Sequence, residues 1–198
     1  MSVVTFLFTD IEGSTRREAD PDAMRTALET HNHALHDVVE AHDGKVFNHT
    51  GDGMCAVFAS PRSAVEAAIA AQRALELPVR MGIATGEAEL RGDDYFGTVL
   101  NRTARVMAAG HGGQILIDGA TASLLRGVGL ISLGSRRLRD IAKPVQLFQV
   151  QSAGLPIEFP PLRTADRTPR ISEHETPPSS DARSNLPIWR RCSKHTSW

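Results

Sequence analysis

The sequence predicts an α+β protein in which helices cover a mainly antiparallel sheet. The chain opens with a continuous run of Val, Thr, Phe and Leu over residues 3–9, which is typical of a strand buried on both faces. Residues 21–41 and 61–76 place apolar side chains three and four positions apart, as one face of a helix does. Between these runs, the tripeptide 51–53 (Gly-Asp-Gly) joins two short strand-like segments, the pattern of a β-hairpin.

The first half of the chain can be assigned in order. We expect Asp20 to cap the helix over 21–41 and Pro21 to occupy its first turn. The hairpin strands then cover residues 45–50 and 54–59. Ser60 followed by Pro61 marks the start of the next helix.

The second half continues the alternation of strands and helices. The predicted elements are a strand over 79–86 whose glycines indicate close approach of another backbone, a polar loop over 87–96, a helix over 98–109, a strand over 114–117, a short helix over 119–125 capped by Asp118, and short antiparallel strands over 128–150. This order predicts that the helices lie on one side of the sheet.

Composition indicates one folded domain followed by a tail. With 198 residues and 41% hydrophobic content, the chain can bury one sizeable core, which we assign to residues 1–150. Residues 151–198 hold most of the prolines among Ser, Thr, Arg and Asp, so we expect this tail to be extended and mostly disordered.

Charge and cysteine usage exclude several classes of protein. A net charge of −1 gives no global attraction to nucleic acid. Because no signal peptide precedes the first strand and no apolar run approaches the ~20 residues of a membrane span, we expect a cytoplasmic protein. Cys55 and Cys192 lack CxxC partners, which indicates neither a disulfide framework nor a zinc site, and Cys55 is predicted to be a core residue.

The end of the first strand carries the first candidate site. Asp10 is expected where this strand leaves the core, followed by Gly13, Ser14 and Thr15. A turn of this composition exposes backbone N–H groups and hydroxyls that suit phosphate oxygens, and the neighbouring carboxylate suits a divalent cation. An ordinary helix N-cap after a strand is the alternative explanation.

Two further sets of residues complete the candidate site. Asp52 at the hairpin tip would lie near Asp10 if their strands are neighbours, within reach of one or two shared Mg²⁺ ions. Asn101 and Arg105, four apart on one helix, offer an amide and a guanidinium on the same face, suited to a ribose and a phosphate. The alternatives are a simple turn at Asp52 and a solvated helix face on which Arg102 and Arg105 maintain solubility.

Taken together, three motifs resemble the catalytic domain of class III nucleotidyl cyclases. They are Phe-Thr-Asp-Ile-Glu-Gly-Ser-Thr over residues 8–15, His-Thr-Gly-Asp-Gly over 49–53, and Asp-Tyr-Phe-Gly-Thr-Val-Leu-Asn-Arg-Thr-Ala-Arg over 94–105. The resemblance covers residues 1–150 and has the motifs in the family's order. It implies a ferredoxin-like cyclase homology domain that acts as a head-to-tail homodimer.

The resemblance also implies the roles of individual residues. Two Mg²⁺ or Mn²⁺ ions would be bound by Asp10, Ile11 and Asp52 of one subunit, while Asn101 and Arg105 of the other stabilise the transition state as ATP closes to cyclic AMP. Residues 13–15 (Gly13, Ser14, Thr15) and Arg139 would bind phosphates. Asp94 would accept from the adenine amino group.

One position departs from the family pattern, because Asn48 stands where adenylyl cyclases usually carry a lysine that reads adenine. An amide both donates and accepts, so purine selection is less sharply defined. Asn48 therefore supports an alternative function, a cyclase-like regulatory module that binds nucleotide with little turnover. A diguanylate cyclase is a third alternative, but its Gly-Gly-acid-Glu-Phe signature is absent.

The tail contains a second resemblance. Residues 158–164, Glu-Phe-Pro-Pro-Leu-Arg-Thr, are similar to the connector that follows the cyclase domain in mycobacterial-type regulators with ATPase and DNA-binding modules. The sequence stops before either module and contains no GxxxxGK[ST] loop, so the resemblance implies a truncated or stand-alone cyclase. We expect no direct nucleic-acid binding.

Overall fold

The opening apolar run forms a strand at the centre of the sheet. The computed structural model describes residues 1–13, 21–50 and 52–165, and β1 spans Ser2–Ile11. Its residues 5–9 are all buried, because strands pair with β1 on both edges and helices cover both faces. The predicted buried strand is therefore confirmed.

Eleven further elements follow β1. They are α1 (Pro21–Ala41), β2 (Gly44–Thr50), β3 (Gly53–Phe58), α2 (Pro61–Ala74), β4 (Val79–Arg91), β5 (Asp94–Phe96), α3 (Thr98–Ala109), β6 (Ile115–Asp118), α4 (Gly119–Leu124), β7 (Gly129–Arg136) and β8 (Val145–Gln151). The sheet order is β2-β3-β1-β4-β6-β8-β7, with β5 paired to β4. Only the β4–β6 pair is parallel among the described strands, so the predicted α+β class with a mainly antiparallel sheet is confirmed.

The helices lie on both faces of the sheet, and the expectation of a one-sided arrangement is wrong. Leu7 packs with α1 and α2, whereas Phe6, its neighbour on β1, packs with Val99 of α3. Successive side chains of a strand point to opposite faces, so a continuous apolar strand needs cover on both. Helix α3 supplies the cover on the second face.

The predicted polar loop over residues 87–96 is also wrong, because β4 continues to Arg91 and pairs with β5. Gly92, with φ +62°, forms the turn of this hairpin in a conformation that favours glycine. Ala88 and Tyr95 pack into the aromatic cluster on the α3 face, while the polar residues between them face solvent. The sequence pattern of residues 87–96 resembled a loop because one side of this hairpin is polar.

Close backbone contact sets the position of α3. A Cβ atom added to Gly82 of β4 would lie 2.4 Å from the Met107 backbone nitrogen of α3. The predicted close approach of another backbone is therefore confirmed at Gly82, whereas a Cβ at Gly86 would meet side chains of Arg102 and Val99.

Capping side chains mark the first turns of α2 and α4. The Asp118 carboxylate accepts from the Thr121 backbone N–H at 2.9 Å and starts α4, as predicted. Ser60 accepts from the Ser63 N–H at 3.4 Å and starts α2. Helix α2 ends at Ala74, two residues before the predicted end, because the chain becomes extended at Leu75.

The chain beyond β8 continues along the domain for at least fourteen described residues, 152–165. Leu155 and Leu162 pack against two of the apolar clusters of the domain. The boundary at residue 150 stays a prediction. The predicted Asp20 cap, and the part of the predicted tail beyond residue 165, lie outside the described residues. Within the described parts, no helix is both long and apolar enough to pass through a lipid bilayer.

Candidate functional site

Asp10 and Asp52 lie at the same end of two neighbouring strands. In the antiparallel β1–β3 pair, Thr9 is opposite Met54, and the Met54 backbone N–H donates to Thr9 Oγ1 at 3.1 Å. Asp10 directly follows Thr9, and Asp52 is two residues before Met54. Neighbouring strands are ~4.8 Å apart, so this pairing brings the two acidic residues to the same end of the sheet, and a cation shared by them stays a prediction.

The Asp10 carboxylate is engaged by Arg80, the residue opposite it on β4. The Arg80 Nη2 and Nε atoms lie 2.5 and 2.7 Å from Asp10 Oδ2, and the Asp10 side chain is 21% exposed. Sequence reasoning did not single out Arg80. Arg80 is a single charged residue within the apolar run of β4, and this pattern could have identified it as a candidate site residue.

His31 of α1 lies near Asp52 and was also missed. His31 is 4% exposed, and neither of its ring nitrogens has a hydrogen-bond partner among the residues that the structure describes. Burial lowers its pKa, and the negative charge of Asp52 opposes this shift in part. His31 lines a cleft of about 530 Å³ between α1 and the C-terminal end of α2.

Ile11 and Gly13 extend the site by their main chain. The Ile11 side chain is 3% exposed and belongs to the apolar core, so only its carbonyl oxygen could bind a cation. Gly13 has φ +77°, and a Cβ there would meet nothing within 4 Å. Its backbone therefore turns out of the strand towards open space, whereas Ser14 and Thr15 lie outside the described residues.

The donor set suits magnesium. Mg²⁺ is usually held by one or two protein carboxylates together with substrate phosphates and waters. Asp10 and Asp52 supply two carboxylates. Across residues 1–13, 21–50 and 52–165, no group of three or more His, Cys, Asp or Glu side chains is close enough to hold an ion.

Helix α3 carries Asn101 and Arg105 on its outer side and Arg102 on its inner side. Arg102 Nε lies 2.8 Å from Asp118 Oδ2, and its Nη2 donates to the Thr85 carbonyl at 2.8 Å. Asn101 is exposed and Arg105 half-buried. The alternative of a solvated arginine face does not hold for Arg102, which anchors the helix to the sheet.

Arg105 is joined to the β7–β8 connection. Its Nη2 donates to Asp140 Oδ2 at 2.6 Å, and Arg139 Nε lies 3.7 Å from the same oxygen. The structure therefore brings Arg105 and Arg139 to one acid, Asp140, which the sequence analysis did not identify. Arg105 Nε is buried and has no hydrogen-bond acceptor within the described parts of the chain.

Asn48 and Asp94 flank an aromatic cluster. Phe47 of β2 and Tyr95 of β5 contact each other with ring centroids 5.2 Å apart, and both pack on Phe6. Asn48 and Asp94, the chain neighbours of these two rings, are both exposed. The contact between the two rings thus brings the strands that carry Asn48 and Asp94 close together.

Comparison with known sequences gives relatives among cyclases and among proteins without an assigned activity. No family model matches the chain. An uncharacterized protein of Mycobacterium tuberculosis is 35% identical over 176 residues, which cover 84% of this chain and 62% of that protein. A receptor-type adenylate cyclase of Trypanosoma equiperdum is 27% identical, covering 87% of this chain and 51% of the relative. The chain thus spans about half to three-fifths of the length of these relatives.

Comparison with solved structures defines the class of fold. A Trypanosoma brucei adenylate cyclase, solved in its monomeric state, has a TM-score of 0.76 at 25% identity and covers 81% of this chain and 92% of that chain. A guanylate cyclase domain from Catenaria anguillulae in complex with GTP has a TM-score of 0.69 at 18% identity, covering 76% of this chain and 96% of that one. The chain therefore has the cyclase homology fold of class III adenylyl and guanylyl cyclases, and the family resemblance of its motifs is confirmed.

Proposed function

We propose that the chain is an adenylate cyclase that converts ATP to 3′,5′-cyclic AMP and pyrophosphate at a homodimer interface. The observation that carries this proposal is the pairing of β1 with β3, which brings Asp10 and Asp52 to one end of the sheet. Adenylate cyclase relatives support the choice of reaction. The reaction would take place in the cytoplasm, where ATP is supplied.

Asp10, Asp52 and the Ile11 carbonyl would hold two Mg²⁺ or Mn²⁺ ions. Such ions lower the pKa of the ribose 3′-hydroxyl and neutralise the triphosphate. The turn at Gly13, with Ser14 and Thr15, would supply donors to the phosphates. Arg80 is bound to Asp10 and would be free to contact a phosphate oxygen once a cation neutralises that carboxylate.

Asn101 and Arg105 of the second subunit would face this half-site. The ribose 3′-hydroxyl would lose its proton to solvent as its oxygen attacks the α-phosphorus, the bond from that phosphorus to the bridging oxygen would break, and pyrophosphate would leave. Asn101 would orient the ribose, and Arg105 would stabilise charge developing on the α-phosphate. The Arg105 side chain is 34% exposed, which supports this role because its guanidinium can be reached from outside the subunit. Arg139, which is exposed beside Asp140, would bind the outer phosphates.

Purine recognition would involve Asn48 of β2 and Asp94 of β5, which are chain neighbours of the contacting rings of Phe47 and Tyr95. Asp94 can accept from the exocyclic amino group of adenine, and Asn48 can donate to a ring nitrogen. Because the same amide can also accept from guanine, we expect ATP to be preferred over GTP by a modest factor.

A second candidate function is a nucleotide-binding regulatory module with little turnover. It is favoured by the ion pairs of Asp10 with Arg80 and of Arg105 with Asp140, since both acidic and basic groups of the site have partners within one chain. Breaking these pairs would be a cost of binding substrate. Asn48 at the purine position is its second support.

The test is a cyclase assay with the purified full chain, ATP or GTP, and Mn²⁺ or Mg²⁺. We expect cyclic AMP in chromatographic detection, a specific activity that rises with protein concentration, and no product from Asp10→Ala. Nucleotide binding without product would support the regulatory module instead. Specific activity that does not change on dilution across the dimerisation range would contradict a site shared between subunits.

A further inference from the structure

The segment that follows β8 binds several parts of the domain through specific hydrogen bonds. We call residues 157–165 the strap. The Gln149 side chain donates to the Ile157 carbonyl at 2.9 Å, and His111 Nε2 lies 3.2 Å from the Pro161 carbonyl oxygen. The Arg163 backbone N–H donates to the Ala109 carbonyl at 2.9 Å. The strap is thus held by polar contacts along its length.

The Arg163 guanidinium forms an ion pair with Glu12. Glu12 is itself fixed, because its Oε2 accepts from the Gly112 N–H at 2.8 Å and its own N–H donates to the Pro78 carbonyl at 2.8 Å. The Glu12 carboxylate therefore links the end of β1 both to Gly112 and to the Arg163 guanidinium of the strap.

The strap contacts lie close in the chain to three residues of the proposed site, which belong to β1, α3 and the β7–β8 connection. Glu12 is two residues after Asp10. Ala109 is the last residue of α3, one turn after Arg105. The Ala165 N–H donates at 3.0 Å to the carbonyl of Arg137, two residues before Arg139.

We propose that Arg163 is a positioning residue for the cyclase reaction. By binding Glu12 with its side chain and Ala109 with its backbone, it fixes the cation-binding end of β1 relative to the helix that carries Asn101 and Arg105. This role rests on the proposed function. In a head-to-tail dimer those two elements serve different active sites, so the strap would connect both half-sites of one subunit.

We expect Arg163 to affect cation binding because the ligands of a metal site must be held in precise positions. Groups that orient metal ligands typically change metal affinity or activity by roughly 10–100-fold when they are removed. Arg163 acts one step further out, through Glu12 and the strand end. We therefore expect Arg163→Ala to raise the half-saturating Mn²⁺ concentration by about fivefold to tenfold, with a smaller decrease in kcat.

Arg73 of α2 offers a matched control, because it binds the start of the segment that follows β8. Its Nη2 donates to Ser152 Oγ at 3.0 Å and to the Ala153 carbonyl at 2.8 Å. Arg73→Ala removes a comparable guanidinium contact whose partners, Ser152 and Ala153, belong neither to the strap nor to β1. We expect wild-type Mn²⁺ dependence for this variant, and Arg163→Lys to recover part of the effect of Arg163→Ala by restoring the charge.

The experiment uses the full chain and the variants Arg163→Ala, Arg163→Lys, Glu12→Gln, Arg73→Ala and the double variant Glu12→Gln/Arg163→Ala. Cyclase rates are measured against Mn²⁺ concentration. Mn²⁺ binding in the presence of a non-cyclising ATP analogue is measured by electron paramagnetic resonance. Because Glu12 and Arg163 act as one pair, the double variant should be no worse than either single variant.

The outcomes separate the two proposals. A folded wild-type chain that makes no cyclic nucleotide contradicts the proposed function. If the wild type is active, two results would overturn the role of Arg163. One is an Arg163→Ala variant with the Mn²⁺ dependence of the wild type, and the other is an Arg73→Ala variant that changes this dependence as much as Arg163→Ala does. If Arg163→Ala does not fold, Arg163→Lys and Glu12→Gln decide, and wild-type Mn²⁺ binding in both would overturn it.

Discussion

Arg105 on α3 and Asp140 in the β7–β8 connection form an ion pair, with Nη2 2.6 Å from Oδ2. The two side chains are 34% and 56% exposed, so the pair lies at the surface and can open at small cost. Asp140 therefore holds the guanidinium at a defined place and also competes with phosphate for it. This competition leads to the first prediction.

Replacing Asp140 with Asn should lower the KM for ATP, because Arg105 then binds phosphate without first losing a carboxylate. An exposed pair contributes at most about 1 kcal/mol, which limits the decrease to about fivefold. Steady-state kinetics against ATP concentration measure it. Asp37→Asn, which removes an exposed acid on α1, is the control and should leave KM unchanged. A higher KM in Asp140→Asn would show that Asp140 positions Arg105 more than it competes.

Mixing two inactive variants should restore activity if each site combines residues of both subunits. Asp10→Ala and Arg105→Ala damage opposite halves, so a mixed dimer keeps one intact site. Random assortment then gives roughly a quarter of wild-type activity. Mixing Asp10→Ala with Asp52→Ala is the control, because both changes fall in the same half-site. Equal recovery in both mixtures, or none in the first when both variants fold and dimerise, would contradict the composite site.

Arg102→Met should destabilise the fold strongly, since it leaves the Asp118 carboxylate buried without its cation. Asp118 is 2% exposed, and breaking a buried pair costs roughly 3–5 kcal/mol in the free energy of unfolding. Urea denaturation measures the loss. Adding Asp118→Asn should recover part of it, because Asn removes the buried charge and still caps α4. A single variant within 1 kcal/mol of wild type would show that the pair carries little stability.

Acid should destabilise the protein through His31. Burial lowers the pKa of His31 in the folded state below the ordinary value of 6.5, so the unfolded chain binds more protons as the pH falls. The His31 contribution is present above pH 6.5 and is lost as the pH falls towards the lowered pKa. His31→Leu should flatten the dependence of the unfolding midpoint between pH 7.5 and 5.5. An unchanged slope would assign the effect to other groups.

Asn48→Lys should raise the ratio of kcat/KM for ATP to that for GTP by several-fold, because a lysine only donates, whereas the amide also accepts. His49→Lys is the matched control. His49 is the next residue of β2, so its side chain lies on the other face of the strand and should not change the ratio. An unchanged ratio in Asn48→Lys would place purine selection elsewhere.

Local pattern was sufficient for most elements of this fold. The helices over 21–41 and 98–109 have the predicted bounds, and the hairpin strands differ from prediction by one residue. The spacing of apolar residues, together with Gly and Pro at the ends of the elements, is sufficient to predict them. The side of the sheet on which α3 packs, and the strand nature of residues 87–91, depended on distant partners that no local pattern contains.

The sequence by itself determined the class of fold and the residues that resemble cyclase site residues. The tertiary structure alone decided which charges meet: Arg80 with Asp10, Arg105 with Asp140, and Arg163 with Glu12. These partners are 70, 35 and 151 positions apart in the chain. A charged side chain on an exposed or half-buried surface carries no periodicity, so its partner is set only when sheet register and helix packing bring the two elements together.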